Sequence, residues 1–128
     1  MSASPRVISR DDQGIRKAER LRKRPQFLRA RRRGRRAEGR WVIVYAVEND
    51  CRHPRLGLTV SKRVGNAVVR NRWKRRLREI FRQDKSRFGA GHDVVIIVKK
   101  GRSHPPFDQL RRDVHRAVAK AVDRGDKR

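Results

Sequence analysis

The sequence predicts an α+β fold: a small central β-sheet carrying three helices, in the order α-β-β-α-β-α. Three observations predict it. Two runs rich in β-branched residues, WVIVYAV at 41–47 and DVVIIVK at 93–99, have the length and composition of strands with buried faces. Apolar residues recur at helical spacing in three other places, most clearly at Phe107, Leu110, Val114, Ala117, Val118, Ala121 and Val122. Finally, 128 residues that are 35% hydrophobic suffice for one domain with a modest core. Helices and strands mixed in this order pack as a sandwich of helices on a sheet.

Taken in order, residues 1–19 show no sustained apolar period and contain Asp11-Asp12-Gln13-Gly14, so they read as a mobile, basic N-terminal tail. Residues 20–124 form the single domain, and 125–128 a short tail. Pro25 suits the first turn of a short basic helix whose few apolar residues are Phe27, Leu28 and Ala30, with Gly34 as its C-terminal cap. The strand at 41–47 is bounded by Gly39 and by Glu48-Asn49-Asp50. A second strand at 56–61 pairs most simply with it as a hairpin. Gly65 breaks the strand pattern and Asn66 is a natural N-cap for a helix reaching about Asp84. The turn Gly89-Ala90-Gly91 leads into the third strand, and prolines at 105 and 106 start the last helix.

Charge narrows the function. Lys and Arg number 38 against 13 Asp and Glu, a formal net charge of +25. So large a charge repels itself in a compact chain, and a polyanionic partner relieves it. Arg far outnumbers Lys, and the guanidinium fork suits phosphate and base stacking, which points to nucleic acid. No segment approaches the roughly 20 apolar residues of a membrane span. The N-terminus lacks the apolar core of a signal peptide. Cys51 is the one cysteine, which excludes an internal disulfide and a cysteine zinc cluster and fits a reducing cytoplasm.

The helix after Asn66 carries the sharpest signal. Between Lys62 and Arg82 there are nine Lys/Arg and one acid, Glu79, while Val69, Trp73, Leu77, Ile80 and Phe81 mark an apolar side. A stripe through Trp73, Leu77 and Ile80 puts Asn71, Arg75, Arg78 and Arg82 opposite it, with Arg70, Arg72, Lys74 and Arg76 on the flanks. The bland alternative is a solvated basic face. Against it stand the charge density and the interposed Asn66 and Asn71, which bond phosphate, ribose or a base edge without adding charge. Trp41 and Tyr45 share a face if their strand is regular, and serve equally well as core or as stacking platforms for bases.

Groups for self-sufficient catalysis are scarce. His53, His92, His104 and His115 have no metal-ligand spacing, and Glu79 equally suits an ion pair within its helix. No nucleophile–base pair, carboxylate pair or phosphate-cradling loop can be assembled, so neither a catalytic residue nor a protein metal site is expected.

The segment from Arg55 to Arg75, RLGLTVSKRVGNAVVRNRWKR, closely resembles the signature of the bacterial ribonuclease P protein subunit. A weaker match extends from about Arg20 to Val122 and takes in Tyr45 and Gly91-His92-Asp93. The resemblance implies the protein subunit of a cytoplasmic ribonucleoprotein, an endonuclease that removes the 5′ leader from precursor tRNA. In it the RNA subunit cleaves with Mg²⁺, and the protein binds no cofactor tightly and needs no obligate protein partner. It implies a left-handed βαβ crossover between parallel strands, although crossovers are right-handed in about 98% of cases. By position, Lys62, Arg63, Asn66, Arg70, Asn71, Arg72, Lys74, Arg75 and Arg78 are implied to face the catalytic RNA. A cleft between the first helix and the sheet, with Phe27, Arg31, Trp41 and Tyr45, is implied to take the single-stranded leader. Arg31 and Val42 stand where aromatics are common, so leader contact rests more on charge, or Trp41 substitutes. The competing classes are a structural RNA-binding module of the ribosome-associated kind and, disfavoured by the missing acids and histidines, a protein-only nuclease.

Overall fold

The structure, a computed structural model, describes residues 17–126. Helix α1 spans Arg24–Arg33, α2 Ala67–Gln83 and α3 Phe107–Asp126. The strands are β1 (Arg35–Glu38), β2 (Val42–Glu48), β3 (Arg55–Thr59) and β4 (His92–Val98). The expected tail at 1–19 lies outside the described residues except for Lys17–Glu19, a 3₁₀ turn. Glu19 there is buried, and Leu21 N–H donates to the Leu56 carbonyl at 2.9 Å, so packed structure begins before residue 20. At the other end α3 runs through the expected boundary at 124 to Asp126.

Sheet order is β1-β2-β4-β3, with β1–β2 and β2–β4 antiparallel and β3–β4 parallel. The expected hairpin between the 41–47 and 56–61 strands is therefore absent: β4 lies between them. The reason is burial. Strand β4 is the most apolar and is buried at every position but Ile97, so it takes a central place, while short β3 is left near the edge. Chain connectivity favours local pairing, but here the gain from covering both faces of DVVIIV outweighs it. The β3–α2–β4 connection is the parallel crossover that the resemblance implies.

Strand β1 was not legible beforehand. Its sequence is RRAE, and only Ala37 is buried. Charged side chains are how an edge strand avoids pairing with another chain, so such strands leave little hydrophobic pattern.

The two sheet faces carry separate cores. On one, α2 and α3 pack Trp73, Leu77, Ile80, Phe81, Leu110, Val114 and Val118 against Val42, Val44, Val94 and Ile96. On the other, Ala30 of α1 and Leu21 of the segment before it cover Val95, and Phe27, Tyr45, Val47 and Ile97 border them half-buried. The first core is much the larger. It makes α2 a fixed platform and leaves α1 over a partly open sheet face.

Candidate nucleic-acid interface

Helix α2 begins where the sequence places it. The Asn66 side-chain oxygen accepts from Val69 N–H at 3.0 Å, satisfying one of the free donors of the first turn. Trp73, Leu77, Ile80 and Phe81 are fully buried. The opposite side presents Asn71, Arg72, Arg75 and Arg78, all exposed, with Lys62 and Arg63 exposed in the turn before it and Lys74 half-exposed. Among the described residues none of these cations is in an ion pair. Partial burial and the neighbouring charge of Arg20 together hold the Arg78 guanidinium below its ordinary pKa. Like charges packed this way, with the neighbouring Glu79 already paired to Arg82, favour an anion.

Two of the expected contacts are partly used inside the protein. The Asn66 oxygen caps the helix, which leaves only its amide donors for a ligand. Arg70 is half-buried and donates from Nε to the Gly65 carbonyl at 3.1 Å, bracing the turn into α2. Val68, which sequence reasoning passed over, is 75% exposed between these cations. It falls one position off the Val69–Trp73–Leu77 stripe, and that offset was the available signal.

Three carboxylates near these surfaces are engaged within the protein. Glu79 pairs with Arg82, which lowers its pKa. Asp84, just past the end of α2, is held below the usual carboxylate range, first by Arg111, whose guanidinium bonds it at 2.8 and 2.9 Å, and also by His115 at 2.8 Å. Buried Asp93 takes a two-pronged bond from Arg55 at 2.7 and 2.9 Å and one from Asn49 at 2.8 Å. Among the described residues no group of three His, Cys, Asp or Glu is placed to hold a metal ion.

The second expected surface forms between α1 and the sheet. Phe27 lies against Gly57 so closely that a Cβ there would meet the ring at 2.8 Å, so β3 needs glycine at that point. Tyr45, Val95 and Gly57 lie abreast on β2, β4 and β3. Arg31, on α1, holds its guanidinium 5.6 Å from the Tyr45 ring centroid, a cation–π contact. Phe27, Arg31 and Tyr45 thus come together as expected.

Trp41 does not join them. Strand β2 starts at Val42, so Trp41 belongs to the preceding turn, and its ring packs against the α2–α3 core on the other side of the sheet. The alternation that would have set Trp41 beside Tyr45 requires Trp41 to lie inside the strand. It cannot replace the aromatic missing at Arg31.

A protein-family model described as ribonuclease P matches residues 15–122, both surfaces included. The chain belongs to the ribonuclease P protein family. As a member of it, the chain is the protein component of an endoribonuclease. The ribonuclease P protein component of Syntrophus aciditrophicus is 43% identical over 100 residues, covering 78% of this chain and 84% of that one. That of Gluconacetobacter diazotrophicus is 41% identical over 111 residues, 85% and 96% of the two chains. Solved structures agree. The Staphylococcus aureus RNase P protein superposes with a TM-score of 0.73 at 33% identity, over 83% of this chain and 99% of that one. The Thermotoga maritima protein gives 0.73 at 32%, over 80% and 96%. Among the described residues no helix is long and apolar enough to cross a membrane.

Proposed function

We propose that the chain is the RNA-docking and leader-binding subunit of the ribonuclease P that removes the 5′ leader from precursor tRNA in the cytoplasm. The observation that carries this is the exposed face of α2, where Arg72, Arg75 and Arg78 have no ion-pair partner among the described residues, on a fully buried anchor. Its cations neutralise RNA phosphates, Asn71 adds a neutral donor and acceptor, and the helix is held rigid so that the contacts cost little ordering entropy. Beside the parallel strands the cleft of Phe27, Arg31 and Tyr45 offers two aromatic rings and one guanidinium to an unpaired strand. A single-stranded leader meets that need, since its bases are free to stack. Arg31 in place of an aromatic shifts part of this binding from stacking to charge.

Among the described residues the carboxylates at and near the α2 face are tied up in ion pairs, Glu79 with Arg82 and Asp84 with Arg111. Bond cleavage is assigned to the RNA subunit and its Mg²⁺ ions, and the protein lowers the Mg²⁺ requirement by screening phosphate repulsion. The test is a three-way cleavage assay on precursor tRNA with protein alone, RNA subunit alone, and both. At low Mg²⁺ only the reconstituted pair should cut at the mature 5′ end. Cleavage there by RNA-free protein, or no gain on adding protein to the RNA, would reject the reading.

A further inference from the structure

A third cationic surface lies outside both regions, where the turn between β1 and β2 meets the start of α3. Arg40 holds its guanidinium 4.8 Å from the Trp41 ring centroid. Arg102, from the loop after β4, donates from Nε to the Arg40 carbonyl at 3.2 Å, and Lys99 N–H donates to the Trp41 carbonyl at 2.9 Å. Arg112 and Arg116, one helical turn apart on α3, and Gln109 line the other side. The hollow between the turn and the loop holds about 450 Å³. Asp113 lies within this surface, yet its carboxylate is buried and accepts from Arg40 and Trp41 N–H at 2.7 and 2.9 Å. A Cβ on Gly39 would meet that carboxylate at 2.7 Å, so the turn is fitted to it. The four guanidinium groups have no ion-pair partner among the described residues, and the exposed Asp108 is the nearby acid on the first turn of α3.

We propose that this surface binds a further single-stranded stretch of the same RNA that docks on α2, the RNA subunit, with phosphates on Arg102, Arg112 and Arg116 and a base stacked at the Arg40–Trp41 pair. Three features separate it from a merely solvated face. The guanidinium of Arg40 already sits over an aromatic ring, 4.8 Å from its centroid, and the pair offers a base both a ring and a cation. The twenty-residue α3 starts here and adds the positive end of its dipole. The surface also continues from the α2 flank, because His104 stacks on Trp73 at 4.4 Å and Arg76 reaches the Pro105 carbonyl at 3.4 Å. An RNA docked on α2 can run on without leaving positive potential.

The inference extends the RNA-docking reading above, and its test separates the two. Two surface pairs, Arg112→Gln with Arg116→Gln and Arg40→Gln with Arg102→Gln, are compared with Arg52→Gln plus Arg87→Gln, exposed cations near the far end of β2. Each is titrated against salt with three probes: a mixed-sequence single-stranded oligoribonucleotide, the RNA subunit alone, and precursor tRNA presented to the assembled complex. Melting curves confirm that each variant folds. The Arg112/Arg116 pair loses two phosphate contacts and should flatten the log–log salt slope for the RNA subunit by roughly 1.4–1.8, while the Arg40/Arg102 pair loses one and should flatten it by roughly 0.7–0.9; each should weaken that binding up to about tenfold. The control pair should change the slope by far less. Loss in the second arm is the expected result, and loss confined to the third would overturn the assignment by giving the surface to the substrate. Equal behaviour of both surface pairs and the control in all three arms would overturn the proposal. Failure of the wild-type protein to bind the RNA subunit would instead reject the docking reading, while the oligonucleotide arm still decides on this surface.

Discussion

The outer face of α2 and the cleft beneath α1 are built from opposite materials. The α2 face is charge on a rigid base: its exposed side is arginine, lysine and asparagine without an aromatic ring, and beneath it Trp73, Leu77, Ile80 and Phe81 are fully buried. The cleft is half-buried aromatic surface, with one guanidinium over Tyr45 and a small core of Leu21, Ala30 and Val95 behind it. In the proposed reading the difference suits two kinds of RNA. A folded RNA presents phosphates in fixed positions and is met by fixed charges, whereas an unpaired strand offers bases that can stack. Stiffness follows the same division, since α2 is held by the large core and α1 by the small one.

Removing the anchor of α2 should have the largest effect. Trp73→Ala leaves a cavity in the main core and should cost about 3–5 kcal/mol in urea unfolding. Both surfaces would weaken together, because α2 and the sheet share that core. Asp84→Asn should cost about 2 kcal/mol near neutral pH, a figure kept modest because Arg111 is 40% exposed. The sign follows from the lowered pKa of Asp84. Its contribution is present above the unfolded carboxyl value near about 4 and is lost as pH falls through the lower folded value. The stability gap between wild type and Asp84→Asn should therefore narrow as pH falls below the unfolded value and close once pH has passed the lower folded value. A gap that persisted there would mean that something other than the ionised carboxylate is responsible.

Smaller effects separate the two surfaces. Arg72→Gln with Arg75→Gln should leave stability unchanged, weaken assembly with the RNA subunit about tenfold and flatten its salt slope by roughly 1.4–1.8. Arg70→Ala should do less in slope than in stability, since its guanidinium also braces Gly65. Phe27→Ala should weaken binding of leader-bearing precursor by about 1–2 kcal/mol and leave mature tRNA unaffected. Equal loss for both substrates would mean that the cleft does not hold the leader.

These surfaces were unequally legible in the sequence. The α2 face was readable because helical period is local: Trp73, Leu77 and Ile80 fix which side is buried, and the arginines follow by rotation. Phe27 and Tyr45 were named, but their meeting depends on α1 crossing β3 at Gly57, which no local pattern states. The position of Trp41 failed for a small reason, the strand starting one residue later. Pairing of β2 with β4 rather than β3 failed for a larger one: partner choice depends on the total apolar area each strand must cover. Strand β1 and the docking of Leu21 on Leu56 rest on backbone hydrogen bonds, to which side-chain composition is nearly blind.

The most direct measurement of the division of labour is a double-mutant cycle. Precursor binding is followed with wild type, Arg72→Gln/Arg75→Gln, Phe27→Ala and the combined variant, each with and without the leader. Separate surfaces predict that the two losses add to within about 0.5 kcal/mol, with the Phe27 loss confined to leader-bearing precursor. A coupling above about 1 kcal/mol, or a Phe27 loss that survives removal of the leader, would contradict the account.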